Sequence, residues 1–496
     1  MKRLIIIGIM MTLLLSQSVY GKEGDMGHMG GISEGSNLPK TIERYVTIPT
    51  NKTRTYQYKE VVFLSGVPTE FNGTITINND DSVTKTKTEG SYKETYTVTA
   101  TSVEGEGELD RTLTFTTYYK VNNNMDFKNQ IITNSVLTGW EEEVTLGDTT
   151  YTLDEVGSSF SKSGVKDLTP GVAYFSTSIS YVAKFLDGDG NPVTLTSNGS
   201  NYGYDQPWSK IETQERNIGI SKGEGNTGNM QVRVQTVHEA KKTIYYDATE
   251  PFAISFGGTY NQRMESESNL TYEVLSYHSN LTNSQKYGRI SIKMANQIEK
   301  LPIPGNLDFL QGHWAEADFK KLYSMEVFTE VPHSGMQYEA ISRGAYIKAL
   351  CLAMNIDISK YTTRPKTVIF GDVPVTHPYY PYIMAAYDQK LIKGTGENFD
   401  VDRPINREEA FVVYVRVIGL ERLGVTQSPM TPFVDDATIS SWAKKEIMAG
   451  YKLGIIKGDE LGRVKPKQWI SKSEAAAIIN RLIDYLRSDI GEDYRK

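Results

Sequence analysis

The hydrophobic period of this 496-residue chain changes at LPIPGN, Leu301–Asn306, and that change divides it into two different folding problems. From about Arg44 to Lys300, runs such as YKETYTVTATSV, RTLTFTTYYKV, MQVRVQTV and RISIKMA alternate side-chain character at period two and favour Thr, Val, Tyr and Ile. Turn clusters punctuate them: NNDD at Asn78–Asp81, EGEGE at Glu104–Glu108 and DGDGN at Asp187–Asn191. This pattern predicts an all-β region over residues 44–300, antiparallel and sandwich-like, as one large domain or two smaller ones. Beyond the break the period becomes that of a helix. Ala475, Ile478, Ile479, Leu482, Ile483 and Leu486 form one apolar stripe, so the C-terminal region is all-α.

The helical region is also repetitive. Trp314, Pro378 and Trp442 stand 64 residues apart, and Arg343, Arg407 and Lys472 follow at spacings of 64 and 65. Three copies, over residues 305–360, 366–425 and 430–490, each run helix, loop, second helix, and units this short must share a core with their neighbours. The second helices open with ISRGAY (Ile341–Tyr346), INREEA (Ile405–Ala410) and ISKSEA (Ile470–Ala475). Asn406 with Glu409, and Ser471 with Glu474, have the spacing of capping boxes; the first copy keeps Ser342 but has Ala345 in place of the acid. Arg343, Arg407 and Lys472 fall at the first helical position, where the macrodipole opposes a cation by roughly 0.3–1 kcal/mol. Two offsets are open: an ion pair with an acid elsewhere in the module, or a bound anion.

The three copies resemble S-layer homology repeats, with an aromatic-x-Asp entry, a Trp-bearing first helix, a Gly-containing loop and a TRAE-like start to the second helix. The third copy carries FVDD (Phe433–Asp436), SWAKKEI (Ser441–Ile447), GIIKG (Gly454–Gly458) and ISKSEA; the second carries FGDV (Phe370–Val373), HPYYPYI (His377–Ile383), LIKG (Leu391–Gly394) and INREEA. The first offers GHWAEADF (Gly312–Phe319) and ISRGAY. The resemblance implies a pseudo-threefold helical module that fastens an exported protein noncovalently to the cell wall. Its ligand would be an anionic secondary cell-wall polysaccharide, often pyruvylated, taken in grooves between copies. It carries Arg343, Arg407 and Lys472 over as charge partners, and Trp314 and Trp442 as aromatic contacts, for which a core role stands as the alternative. Lys393 and Lys457 would add hydrogen bonds, and Gly394 and Gly458 would let the backbone approach. Departures predict unequal grooves: Thr329 and Glu330 replace Lys and Gly in copy one, Pro378 stands at the Trp position, and Lys472 lacks the planar fork of Arg.

MKRLIIIGIMMTLLLSQSVYG, residues 1–21, reads as a secretory signal peptide, its apolar run of roughly 12 residues too short to span a bilayer. Without it the net charge moves from -7 to -9, which argues against nucleic acid as a partner. No transmembrane segment is expected, self-association is left open, and the location implied is secreted, at the cell wall. Residues 22–43 read as a flexible leader, in which Asp25, Met26, His28 and Met29 favour linker over metal site. The lone Cys351, in ALCLAM, is expected to be a core thiol. No metal or cofactor is expected: the six histidines show no ligand spacing, and DGDGN reads as a turn before a calcium loop. GISKG (Gly219–Gly223) matches the GxSxG string without the helix a nucleophile elbow needs. The β region is thus expected to be noncatalytic, with a structural, adhesive or envelope-assembly role; the alternative is a wall-tethered polysaccharide-active enzyme.

Overall fold

The computed structural model describes residues 28–34, 53–80, 88–125, 128–223, 229–249, 258–277, 281–363, 368–394, 396–424 and 430–491; the signal-peptide segment lies outside them. Among these, fifteen strands form one antiparallel sheet in which strands adjacent in sequence are mostly adjacent in space. The two-sheet sandwich is thereby replaced by one continuous curled sheet. Alternation specifies which side of a strand is inward, and it reads the same whether the inward faces meet across two sheets or around one. In Ala173–Leu186, Phe175, Ile179, Tyr181, Ala183 and Phe185 are buried while Ser176, Ser178, Ser180 and Lys184 face water.

The sheet's two ends meet. Arg54–Val62 lies against Tyr287–Lys293, and the short strand Ile32–Ser33 pairs with the former while the carbonyls of Ser33 and Glu34 accept from side chains of Thr259–Ser276. The interior so enclosed is aromatic, with Phe160 stacked on Tyr181 at 5.3 Å and Trp140 edge-on to both. It also contains charge. Arg111 donates to Glu60 and Glu142 at 2.7 Å each, Tyr58 donates to Glu60, and the Trp140 indole donates to Glu142. Both carboxylates are paired with the guanidinium, which favours a buried charge, while Arg111 Nε is left without a partner.

The leader expectation fails for its described part. His28 to Ser33 are buried inside the curled sheet, because Gly-Gly-Ile can enter where larger residues cannot.

Among the described residues, six α-helices of nine residues or more carry the C-terminal region: α1 (Glu316–Ser324), α2 (Arg343–Ala353), α3 (Tyr380–Asp388), α4 (Arg407–Ile418), α5 (Lys444–Lys452) and α6 (Lys472–Asp484). Helix α2 packs on α3, α4 on α5, and α6 on α1, so each second helix is covered by the first helix of the next copy. A ring of backbone bonds ties their starts: Ile341 N–H to Ile470 O, Ile470 N–H to Ile405 O, and Ile405 N–H to Ile341 O, at 3.0–3.1 Å. Cys351 is buried, and burial pushes its thiol up to about 12.

The two regions share one hydrophobic core, to which the β region contributes Val172, Tyr204, Trp208 and Ile211. The joint satisfies carbonyls that helix ends leave without intrahelical partners. The Trp208 indole donates to Ala353 O at the end of α2, Gly171 N–H and Tyr174 OH donate to Val417 O and Ile418 O at the end of α4, and Gln206 and Ser209 donate to Leu486 O beyond α6. The three second helices, α2, α4 and α6, therefore point their C-terminal ends at the sheet. Their N-termini, with the repeated motif, lie at the far end, roughly 16–20 Å away at 1.5 Å per residue.

Candidate functional site

At that far end each repeated motif begins a helix as its residues dictate. Glu409 N–H donates to Asn406 Oδ1 while Asn406 N–H donates to Glu409 Oε2, and Ser471 and Glu474 repeat the exchange. In copy one only half remains, Ala345 N–H to Ser342 Oγ.

The other oxygen of each capping carboxylate serves the neighbouring copy. Arg343 Nη1 donates to Glu409 Oε1, which also takes Arg403 Nη2 at 2.6 Å, and Arg407 Nη1 reaches Glu474 Oε1 at 3.2 Å. The cation at the first helical position is thus offset by the capping acid of the next helix. The third link would need an acid at Ala345. Lys472 instead turns to Glu330 at 2.7 Å and Glu339 at 3.0 Å. Burial opposes the Lys472 charge, but those two carboxylates outweigh it and hold the ammonium above its ordinary range. Glu339 also accepts from His333 at 2.9 Å; that bond keeps its carboxyl below the usual range and raises the imidazole.

The loops explain the aromatic-x-Asp entry. Asp372 accepts from Phe399 N–H and Val401 N–H, and Asp435 from Val464 N–H and Lys465 N–H, at 2.8–3.0 Å. The loops so pinned present carbonyls to the arginines: Phe399 O takes Arg343 Nε at 2.9 Å, and Val464 O takes Arg407 Nε at 2.8 Å. Arg343 also lies over the Phe399 ring at 4.5 Å.

The remaining predicted residues divide. Lys393 and Lys457 are exposed on the loops that receive Arg343 and Arg407. A Cβ on Gly394 would lie 2.3 Å from Phe370 Cε1, and one on Gly458 2.8 Å from the Gly462 carbonyl carbon, so loop packing already requires both glycines. Trp314 and Trp442 are exposed, at 63% and 51%; the core of the first helices is built by Ala315, Phe319, Leu322, Ala443 and Ile447 instead. Sequence reasoning missed Trp469, 58% exposed beside the Ile470 ring, and Tyr338, 73% exposed. A signal was there: each is a large aromatic within a few residues of a second-helix start.

In the β region, Glu212, His238 and Ser268 stand opposite one another on three neighbouring strands, with His238 Nδ1 2.8 Å from Ser268 Oγ. They are fully buried and the Ser268 hydroxyl is donated to Ser33 O, so no substrate reaches them. Ser221 of GISKG lies on a strand opposite Thr194, and Asp187 of DGDGN accepts from Asp189 and Asn191 as a turn aspartate does. Among the described residues, no group of three or more His, Cys, Asp or Glu is placed to hold a metal ion.

The family profile of the S-layer homology domain matches residues 369–411 and 432–476. The chain is 29% identical over 184 residues to Exoglucanase XynX of Acetivibrio thermocellus, covering 35% of this chain and 16% of that protein. It is 34% identical over 122 residues to an endoglucanase of Bacillus sp. (strain KSM-635), covering 24% and 12%, and 33% identical over 101 residues to an S-layer protein of Bacillus thuringiensis subsp. finitimus, covering 20% and 12%. It thus spans less than a fifth of the length of these relatives. The chain carries S-layer homology repeats. It is a protein of the cell surface, anchored at the cell wall. Among the described residues no helix is long and apolar enough to cross a membrane.

Proposed function

We propose that three such repeats, the first over residues 305–360, form a pseudo-threefold module. It binds an anionic, pyruvylated secondary cell-wall polysaccharide and displays a noncatalytic β region with a structural, adhesive or envelope-assembly role. The ring of backbone bonds through Ile341, Ile405 and Ile470 carries this reading: it sets three cation-bearing helix starts around one end, opposite the β region. Trp314 and Trp442 are exposed, as sugar stacking requires.

The three junctions differ in what they offer an anion. Two arginines share Glu409 at the first, and two carboxylates already surround Lys472 at the third, where an incoming anion meets like charge. At the second, Arg407 has one carboxylate partner, at 3.2 Å, and is the most exposed of the three cations. Arg407 is the principal contact for the ligand's carboxylate, with Lys457 on the adjoining loop.

The test is to pellet the full chain with purified cell walls before and after chemical removal of the secondary polysaccharide. Retention by intact walls and loss from stripped walls is expected; equal pelleting from both refutes the ligand. The full chain is needed because an isolated helical fragment would lose Trp208 and Tyr204 from its core.

The polysaccharide-active enzyme is favoured by relatives whose printed names are Exoglucanase, Endoglucanase and Amylopullulanase, and these match 35%, 24% and 35% of this chain. The filled interior of the β region supports the noncatalytic reading.

A further inference from the structure

The buried segment His28–Glu34 is the least expected element of the β region. His28 sits in a cage of Tyr96, Phe115 and Phe160, at ring separations of 4.8, 5.8 and 6.4 Å, with Lys162 Nζ 3.3 Å from its Nε2. Gly30 has φ +99°, a conformation side chains disfavour. A Cβ on Gly31 would lie 2.0 Å from Tyr58 Oη. Ile32 and Ser33 pair with Lys59 and Tyr58, and the carbonyls of Ser33 and Glu34 accept from Ser268 and Ser266 across the seam. Tyr58 on one side of the seam and Ser266 and Ser268 on the other are therefore shaped around Gly-Gly-Ile-Ser, and strands farther into the sheet receive His28. A strand of other sequence would meet Tyr58 or leave the His28 cage empty.

The covalent link to this strand is long. Ser33 stands opposite Tyr58, so a hairpin of 2–5 residues would serve, yet 18 residues, 35–52, separate Glu34 from Thr53. Fully extended, 18 residues span about 60 Å, well beyond one strand of the sheet. The strand is held to its neighbour by few backbone bonds, the remainder being side-chain donors and packing.

We propose that the seam is a strand-acceptor site whose exchangeable ligand is residues 28–34 of a second copy of this chain, so that neighbouring copies at the cell surface join by donating this segment to one another. Addition of an extended peptide to a sheet edge supplies affinity through main-chain bonds and specificity through side-chain pockets. The pockets here accept this chain's own segment, which is what selects a copy over an unrelated partner. Closure within one chain and donation between two use the same contacts, and the local concentration of copies sets the balance.

Two full-length variants separate the roles. Gly31→Val cannot seat its own segment against Tyr58 but keeps an acceptor seam; Ser268→Trp blocks the seam but keeps a donor segment. Each alone is expected to sediment as a monomer, and an equimolar mixture as a species of twice the mass. A fluorescent peptide of residues 26–36 should bind the Gly31→Val chain at least tenfold more tightly than the same peptide carrying Gly31→Val. Two folded monomers in the mixture, or equal binding of both peptides, overturns the proposal. Should either variant lose its far-UV β signal, the wild-type chain with a protease site inserted within residues 35–52 replaces it. Cut after folding, its segment must be replaced by the labelled peptide, and a segment that does not exchange also overturns the proposal.

Discussion

The enclosed network of the β region and the repeated cations of the helical region treat charge in opposite ways. In the β region Arg111 is enclosed between Glu60 and Glu142 with every partner internal, and the side chains of all three are almost wholly buried. In the helical region the repeated cations sit where copies meet, and their carboxylate partners range from 13% exposed at Glu409 to 48% at Glu339. An enclosed charge network is fixed, since losing one member strands the others in a medium that cannot solvate them. A cation at a part-exposed junction can exchange an internal partner for an external one at small cost. The same residue types thus serve permanence in one region and, in the function proposed above, recognition in the other.

The largest expected effect breaks the enclosed network. Arg111→Met leaves Glu60 and Glu142 without a counter-charge and should remove about 3–5 kcal/mol of stability, read from urea unfolding of the β signal. A loss below about 1 kcal/mol would erase the contrast.

Acid should act next, again on the β region. Burial pushes His238 down to about 3, with Lys210 adding to the shift, and burial lowers His28 in the same direction. A histidine depressed on folding stays neutral while the unfolded chain takes up a proton below pH ~6.5, so stability falls as pH drops through the window from about 6.5 to 3. Between pH 6.5 and 5, His238 alone should account for roughly 2 kcal/mol. Chemical denaturation at the two pH values checks this, and His238→Asn should flatten the slope.

At the third junction the effect is smaller. Glu330→Gln with Glu339→Gln takes both partners from Lys472 and should lower stability by about 1 kcal/mol, an effect Ala345→Glu should reverse by supplying the carboxylate of the other two copies. Melting of the helical signal reads both changes.

The smallest change in stability belongs to Arg407→Gln, within about 0.5 kcal/mol for one part-exposed ion pair. Retention on intact cell walls should nonetheless fall about tenfold, equivalent to ~1.4 kcal/mol. Unchanged retention would return Arg407 to a purely structural role.

Much of this was legible from residue order. The change of period at Leu301 and the capping boxes at Asn406 and Ser471 are local properties, and the structure carries them where the residues put them. The exposure of Trp314 and Trp442 was not, because an aromatic at the start of a short helix fits core or surface equally well until its neighbours are placed. Nor could alternation tell a sandwich from a curled sheet, or show that a Gly-rich leader enters the interior.

What the sequence determined by itself was local and periodic: strands before Leu301, helices after it, and a cation at the first helical position of each copy, because propensity, capping and side-chain period act within a few residues. Only the tertiary structure decided what those cations meet. Glu409 lies 66 residues from Arg343, and Glu330 lies 142 from Lys472; pairs so distant in the chain are joined by the closure of the helical ring, not by any local rule.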